Sequence, residues 1–362
     1  SSEMLIRYLF YVAEELRELM AQLGFRTVEE MIGRSDLLSQ KHILGNEKAN
    51  LVDLSKLLAV PDPSGSKPRT KIIERNDDES DEILDDKLMP LVKSAITLQE
   101  PVKIEHEIRN VHRTVGARIS GEIARIHGDE GLPENSIEMR LTGSAGQSFG
   151  AFLINGMHLL LEGEANDYVG KGMHGGELVI RPSSKAKFHA HDNVILGNTV
   201  LYGATGGRMF AAGIAGERFA VRNSGAWSVV EGAGDHACEY MTGGVVVILG
   251  STGRNLGAGM SGGIVYVLDL NEELQHNINP EMVGATTISD ADDEDLLYAL
   301  VSRHAELTHS QRADEILANW SIYLPKFRKI SPLPHVAPPL PREQQRAKRD
   351  ALLKASTPRA IG

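Results

Sequence analysis

The sequence predicts a mainly β protein, a coiled solenoid of short strands with helical segments at its two ends, on three observations. Between Gly143 and Gly263 the 362-residue chain holds 26 of its 36 glycines. Those glycines recur as one phrase, a cluster ending in Gly-Gly followed at once by a β-prone run. Apolar residues at helical spacing lie before this region, up to residue 38, and after it, from Leu296.

The first phrase sets Gly170, Gly172, Gly175 and Gly176 before Leu178-Val179-Ile180, and the second sets Gly203, Gly206 and Gly207 before Met209-Phe210. Gly243-Gly244 then precedes Val245 to Ile248, and Gly257, Gly259, Gly262 and Gly263 precede Ile264 to Val267. Gly207 and Gly244 lie 37 positions apart and Gly244 and Gly263 lie 19 apart, so one unit of 18 to 19 residues fits both gaps. The unit missing between Gly207 and Gly244 falls on Gly225 to Val230. The 31 positions from Gly176 to Gly207 are no multiple of that unit, which places a longer turn around Lys185 to Asn193.

A turn-strand unit repeated in this way coils into a solenoid. Glycine suits its corners, where positive φ makes a Cβ costly. Valine and isoleucine supply strands whose inward side chains stack on the next coil. Such a narrow core needs few aromatic residues, and only 5% of this chain is aromatic.

Two stretches also match G-x-G-x-x-G, Gly170/Gly172/Gly175 and Gly257/Gly259/Gly262. In a dinucleotide site that pattern opens a helix, whose N-terminal amides hold the pyrophosphate. Here each match runs into a strand-like segment instead. Gly170, Gly172, Gly175, Gly176, Gly206, Gly207, Gly243, Gly244, Gly257, Gly259, Gly262 and Gly263 are therefore read as structural turns, and no cofactor-binding residue is assigned.

A net charge of −11 argues against nucleic acid or an anionic membrane as partner. No apolar run reaches 18 residues, and the N-terminus lacks a signal-peptide layout. Cys238 is the only cysteine, which excludes a disulfide or a thiolate-held cluster within this chain and makes the cytoplasm the expected compartment.

Residues 1–38 read as helical: Leu5, Leu9, Val12, Leu16, Leu19 and Leu23 form one stripe, Gly24 ends it, and Thr27-Val-Glu-Glu30 has capping-box form. A lone helix of this length is marginal in water, so the stripe needs a partner surface in another polypeptide or in a domain absent from this chain. Residues 39–100 read as a connector with an acidic run, Asp77-Asp78-Glu79, Asp81-Glu82 and Asp85-Asp86, forming a solvated face. The β region spans 101–275 and begins with alternating strands at Val102–Ile108, Arg118–Ile123 and Ile137–Leu141. Residues 276–330 read as a helical segment carried by Leu296, Leu297, Leu300, Val301, Ile316 and Leu317, and 331–362 as a Pro-rich basic tail.

Three groups of residues invite a chemical reading. His189, His191 and Asp192 would put two imidazoles on one face of a strand beside a carboxylate, as in a metal site, but no third and fourth ligands are nominated. His236 and Cys238 would share a strand face as base and thiol, with nothing marking an oxyanion hole. Asn155, Asn166, Asn193, Asn198, Asn223 and Asn255 lie near turns and read as corner residues. No catalytic residue and no metal ligand is assigned, and a metal-dependent enzyme using His189, His191 and Asp192 stands as an alternative.

Taken in order, Gly170-Lys-Gly-Met-His-Gly-Gly-Glu-Leu-Val-Ile180, Gly203 to Phe210, Gly213 to Gly225 and Asp235-His-Ala-Cys-Glu-Tyr-Met-Thr-Gly-Gly244 resemble the C-terminal region of the glutamate synthase large (α) subunit. Val12 to Gly24 and Val28 to Leu38 resemble the end of that subunit's FMN-binding synthase domain. The resemblance implies a right-handed parallel β-helix, the GXGXG domain, beside the flavin barrel of an enzyme that makes glutamate from glutamine and 2-oxoglutarate. It implies FMN and a [3Fe-4S] cluster in the parent enzyme, electrons from NAD(P)H or ferredoxin, and no cofactor bound by this chain alone. The implied partners are the FMN-barrel and amidotransferase portions and a small electron-donating subunit. A β-helix subunit of formylmethanofuran dehydrogenase is the other resemblance, and the helical lead-in from Val12 to Leu38 argues against it.

Overall fold

A computed structural model describes residues 2–60, 62–72, 74 and 83–336. The chain divides into two compact units, 1–80 and 81–362. Asp77 to Glu82 of the acidic run, and the tail beyond residue 336, lie outside the described residues. Helices of eight residues or more are labelled α1 to α5 in chain order.

In the first unit the apolar stripe forms α1 (Ser2–Leu23). Met20 is its one buried residue, and Leu5, Leu9, Val12, Leu16, Leu19 and Leu23 all remain exposed. Thr27 caps the short helix Val28–Met31 by accepting from the Glu30 amide, and Glu30 returns its carboxylate to the Arg26 amide.

The second unit opens on α2 (Leu84–Leu98), which corrects the reading of residues up to 100 as connector. Leu84, Leu88, Val92, Ala95 and Ile96 share one buried face; the neighbouring carboxylates had masked that period. Asp85 is buried as well. It accepts from the amides of Gly116 at 2.8 Å and Arg118 at 2.9 Å, and so caps α3 (Ala117–His127) from outside that helix. Burial pushes the Asp85 carboxyl above its ordinary value, against the pull of those N–H groups.

α3 also corrects the strand expected at Arg118–Ile123. Ile119 and Ile123 alternate with Gly121 as a strand would, but they are four apart and both face inward, while Arg118 and Arg125 stay outside.

The solenoid wall is built from β1 (Val102–Ile108), β2 (Ile137–Ala145), β3 (Met157–Ala165), β4 (Glu177–Arg181), β5 (Val194–Leu196), β6 (Arg208–Ala215), β7 (Ser224–Ala233), β8 (Thr242–Ile248) and β9 (Gly262–Leu268). Each of β1 to β4 and β6 to β9 pairs in parallel with the next, giving about seven turns. Arg208 pairs with Trp227, Trp227 with Val245 and Val245 with Ile264, steps of 19, 18 and 19 residues. Glu177 pairs with Arg208, a step of 31, because the chain leaves the wall between β4 and β5 before β5 rejoins β3 and β6.

Side chains stack in columns along this wall. Met139, Leu159, Leu178, Met209, Ser228, Val246 and Val265 are successive register partners, all fully buried, and only Ser228 is polar. Burying one such apolar side chain is worth about 1.5–3 kcal/mol, so this column is a main source of the wall's stability.

The opposite face of the wall, with Phe210, Val229, Val247 and Tyr266, forms a second core with α4 (Ala291–Thr308) and α5 (Gln311–Ala318). β11 (Phe327–Pro332) pairs antiparallel with β9, and β10 (Val283–Thr287) pairs antiparallel with β11. The region expected to be only helical over 276–330 thus also completes the sheet, which ends on a proline of the expected tail. β pairing overrode the weak local signal at Phe327 to Pro332.

Candidate functional site

Each coil turns its second corner through a backbone pattern that the glycines only partly reveal. Three residues spaced two apart adopt the left-handed conformation: Tyr168, Gly170 and Gly172 in one coil, Arg218, Ala220 and Arg222 in another, His236, Cys238 and Tyr240 in the next. Triplets begin at Ser148, Tyr168, Thr199, Arg218, His236 and Asn255, and twelve of these eighteen positions carry a Cβ. The cost of those φ values is offset by pairing in both directions along the stack. The Arg218 and Arg222 amides donate forward to Asp235 and Glu239, and the Ala220 amide donates back to Val200.

The predicted glycine turns divide into two kinds. Gly170, Gly172, Gly176, Gly207, Gly244, Gly257, Gly259 and Gly263 lie at positive φ; Gly175, Gly206, Gly243 and Gly262 do not. At Gly206, Gly243 and Gly262 an added Cβ would fall 2.2–2.3 Å from a carbonyl oxygen of the preceding coil. The amides of a phosphate cradle would have to be free. Those of Gly170, Gly172 and Gly257 instead donate to Phe149, Tyr202 and Ala237.

His189 and His191 do not share a strand face. They sit around a 3-10 turn, Ala190–Asp192, with ring centroids 5.7 Å apart and His191 Nε2 3.7 Å from the Asp192 carboxylate. Among the described residues no group of three or more His, Cys, Asp and Glu side chains is placed to hold a metal ion. His236 and Cys238 likewise occupy a left-handed corner, not a strand. His236 Nδ1 stands 2.8 Å from the Glu239 carboxylate, while Cys238 is fully buried and burial pushes its thiol far up, which suppresses the thiolate. Asn223 is a buried corner residue: its Oδ1 accepts from the amides of Gly225 and Ala226, and its Nδ2 donates to the Ala226 carbonyl.

A charged cluster went unnoticed in the sequence because its members are far apart. His158, Glu177 and Arg208 are register partners on β3, β4 and β6, so they stack across three coils. His158 Nδ1 lies 3.1 Å from Glu177, Arg208 Nε 3.0 Å and Arg303 of α4 3.2 Å. The Arg208 contact is a charge contact only, since the Glu177 Oε2 it faces lacks an aligned hydrogen bond. Burial pushes the Glu177 carboxyl up, yet the His158 hydrogen bond and the charges of Arg208 and Arg303 outweigh it and hold the group below its ordinary 4.5. The cluster borders a cleft of about 420 Å³ that also exposes Glu134, Asn155 and Trp227. A wider cleft of about 580 Å³ runs along the ends of β1, β2, β3 and β5, past Arg109, Ser144, Glu164 and Asn166.

A depressed carboxylate stabilises the fold above its unfolded pKa, and that stabilisation is lost as pH falls through the lower folded value. Wild type should therefore exceed Glu177→Gln in stability at pH 7, and the difference should close below about pH 4, near the ordinary carboxylate range. Denaturant titrations of both proteins at several pH values measure it; a gap independent of pH would separate Glu177 from this linkage.

The cations around Glu177 are thus engaged by carboxylates, and neither cleft presents a nucleophile–base pair. No described helix is long and apolar enough to cross a membrane. Sequence comparison adds what geometry cannot. The chain is 47% identical over 361 residues to the NADH glutamate synthase of Schizosaccharomyces pombe, which covers 99% of this chain and 17% of that protein. It is 47% identical over 329 residues to ferredoxin-dependent glutamate synthase 2 of Synechocystis, covering 90% of this chain and 21% of that protein. It is 44% identical over 332 residues to the glutamate synthase [NADPH] large chain of Bacillus subtilis, covering 91% and 21%. The chain spans about a fifth of the length of these relatives. A family model described as the GXGXG motif matches residues 85–333, the interval that holds the stacked coils and their left-handed corners, so the chain belongs to the GXGXG motif family.

Proposed function

We propose that this chain is the C-terminal part of a glutamate synthase large chain and that it acts as a scaffold, with the reacting groups held elsewhere in that enzyme. The observation that carries the reading is identity of 44–47% across at least nine-tenths of the chain to proteins named for that activity. On this reading the whole enzyme forms glutamate from glutamine and 2-oxoglutarate with FMN and an iron–sulfur cluster, using a nicotinamide cofactor or ferredoxin as donor. The residues here do not fit either group. The single cysteine is buried with its thiol pushed up, and the corner amides that could hold a phosphate are already donated to carbonyls.

α1 supports the scaffold reading from the other side. Met4, Leu5, Ile6, Tyr8, Leu9, Phe10, Tyr11 and Val12 are all exposed, so its first half is apolar on every face. Such a helix requires burial in a neighbouring domain; the flavin-bearing portion of the large chain is the domain proposed. In the purified full-length enzyme, Leu9→Asp should lower flavin content and glutamate formation together by at least about tenfold, since a buried charge costs several kcal/mol. A full-length enzyme that forms no glutamate from glutamine and 2-oxoglutarate would overturn the reading; unchanged flavin in Leu9→Asp would overturn the burial of α1.

A further inference from the structure

The third position of the left-handed triplet is glycine in three coils, Gly172, Gly203 and Gly259. In three others it is Phe152, Arg222 and Tyr240, at φ of 58°, 58° and 55°. A side chain at such a φ strains the backbone, and glycine would relieve it. The fold recovers little in exchange. Phe152 and Tyr240 rest an edge on Gly172 and Gly259, yet they stay 56% and 59% exposed, and Arg222 is exposed as well. Strain retained for a side chain the core does not use points to a use outside the fold.

The same corner has the composition and charge of a contact surface. Tyr168 adds a third partly exposed ring, with the Lys171 ammonium 5.4 Å from its centroid. Aromatic residues and arginine are the types that anchor interfaces. Local carboxylates are already matched, Asp235 by Arg254 and Glu239 by His236, whereas Arg218 and Arg222 form no ion pair among the described residues. An unmatched basic and aromatic ridge on a chain of net charge −11 is complementary to an acidic surface. The ridge crosses four coil steps, about 19 Å at the ~4.8 Å spacing of adjacent strands, long enough for one side of a standard interface.

We propose that this ridge, through Phe152, Arg222 and Tyr240, docks an acidic face of the remainder of the same large chain. The inference rests on the scaffold reading, and the occupant follows from the four-fifths of the relatives' length that lies outside this chain.

Hydroxyl-radical footprinting of the full-length enzyme tests it, with each residue's labelling rate scaled to the same residue in urea-denatured enzyme. Phe152 and Tyr240 should be labelled at least about fivefold more slowly than their exposure here implies, and Arg218→Glu with Arg222→Glu should restore the rate at Tyr240 by threefold or more. Labelling at the exposed rate would show a free surface and overturn the proposal. Protection that relaxes on dilution would assign the ridge to a second copy, and protection indifferent to the charge reversals would remove the acidic partner. Tyr8, Phe10 and Tyr11 report separately: if they are labelled freely the scaffold reading fails, whatever the ridge does.

Discussion

Gly244→Val is expected to destabilise the solenoid by about 3–5 kcal/mol, combining left-handed backbone strain with overpacking. Gly244 has φ of +84°, and a Cβ there would lie 2.3 Å from the Ala226 carbonyl oxygen and 2.9 Å from Asn223 Nδ2. Neither neighbour can yield, because Asn223 uses its whole amide to fix Gly225 and Ala226. Valine adds branching at Cβ, which restricts it further at positive φ. Two companion variants separate the causes. Gly243→Ala meets only a clash, 2.2 Å from the Ser224 carbonyl oxygen at an ordinary φ, and should cost about 1–3 kcal/mol. Gly203→Ala meets only strain, at φ +64° with open space around it, and should cost about 1 kcal/mol. Denaturant melts should rank the three in that order; a Gly244→Val protein that unfolds with the parent would remove the corner assignment.

These glycines were legible because a sequence shows where a Cβ is missing. It does not show where one is tolerated against preference. Arg218, Ala220 and Arg222 form a full left-handed triplet that nothing in their types announces, since the compensating bonds come from Glu239, Asp235 and Val200 on neighbouring coils. α2 was hidden by the carboxylates beside its apolar face, and one of them, Asp85, is itself buried to cap α3. α3 was hidden because Ile119, Gly121 and Ile123 satisfy a period of two as well as a face of a helix.

The charged cluster was unreadable for another reason. His158, Glu177 and Arg208 are separated by steps of 19 and 31, and only the excursion between β4 and β5 makes both steps one coil. A strict repeat would have aligned Glu177 with a residue of that excursion instead. Column alignment along the solenoid, corrected for such excursions, is the signal that would have found it.

Glu231 carries the second large prediction, because it joins the wall to both helices that cover it. It lies on the cap side of β7 with Trp227 and Val229, and only 2% of it is exposed. Its Oε1 accepts from the Ser310 hydroxyl, which also accepts from the Ala313 amide and so caps α5. His304 Nε2 of α4 stands 3.4 Å from the same oxygen, its ring stacked on Phe210. Glu231→Ala should therefore cost about 3–5 kcal/mol, the loss expected when one partner of a buried pair is removed. Replacing both partners removes the orphan, so Glu231→Leu with His304→Leu should recover most of that loss, as apolar substitutes for buried pairs do elsewhere. The two helices should respond selectively: hydrogen exchange in α4 and α5 should accelerate in Glu231→Ala while the inward column from Met139 to Val265 stays protected. Equal losses in the single and double variants would mean that the Glu231 side chain matters by its volume alone. Recovery in the double variant would show instead that the carboxylate sets how the helices seat on the coils, while the apolar rows around it hold them there.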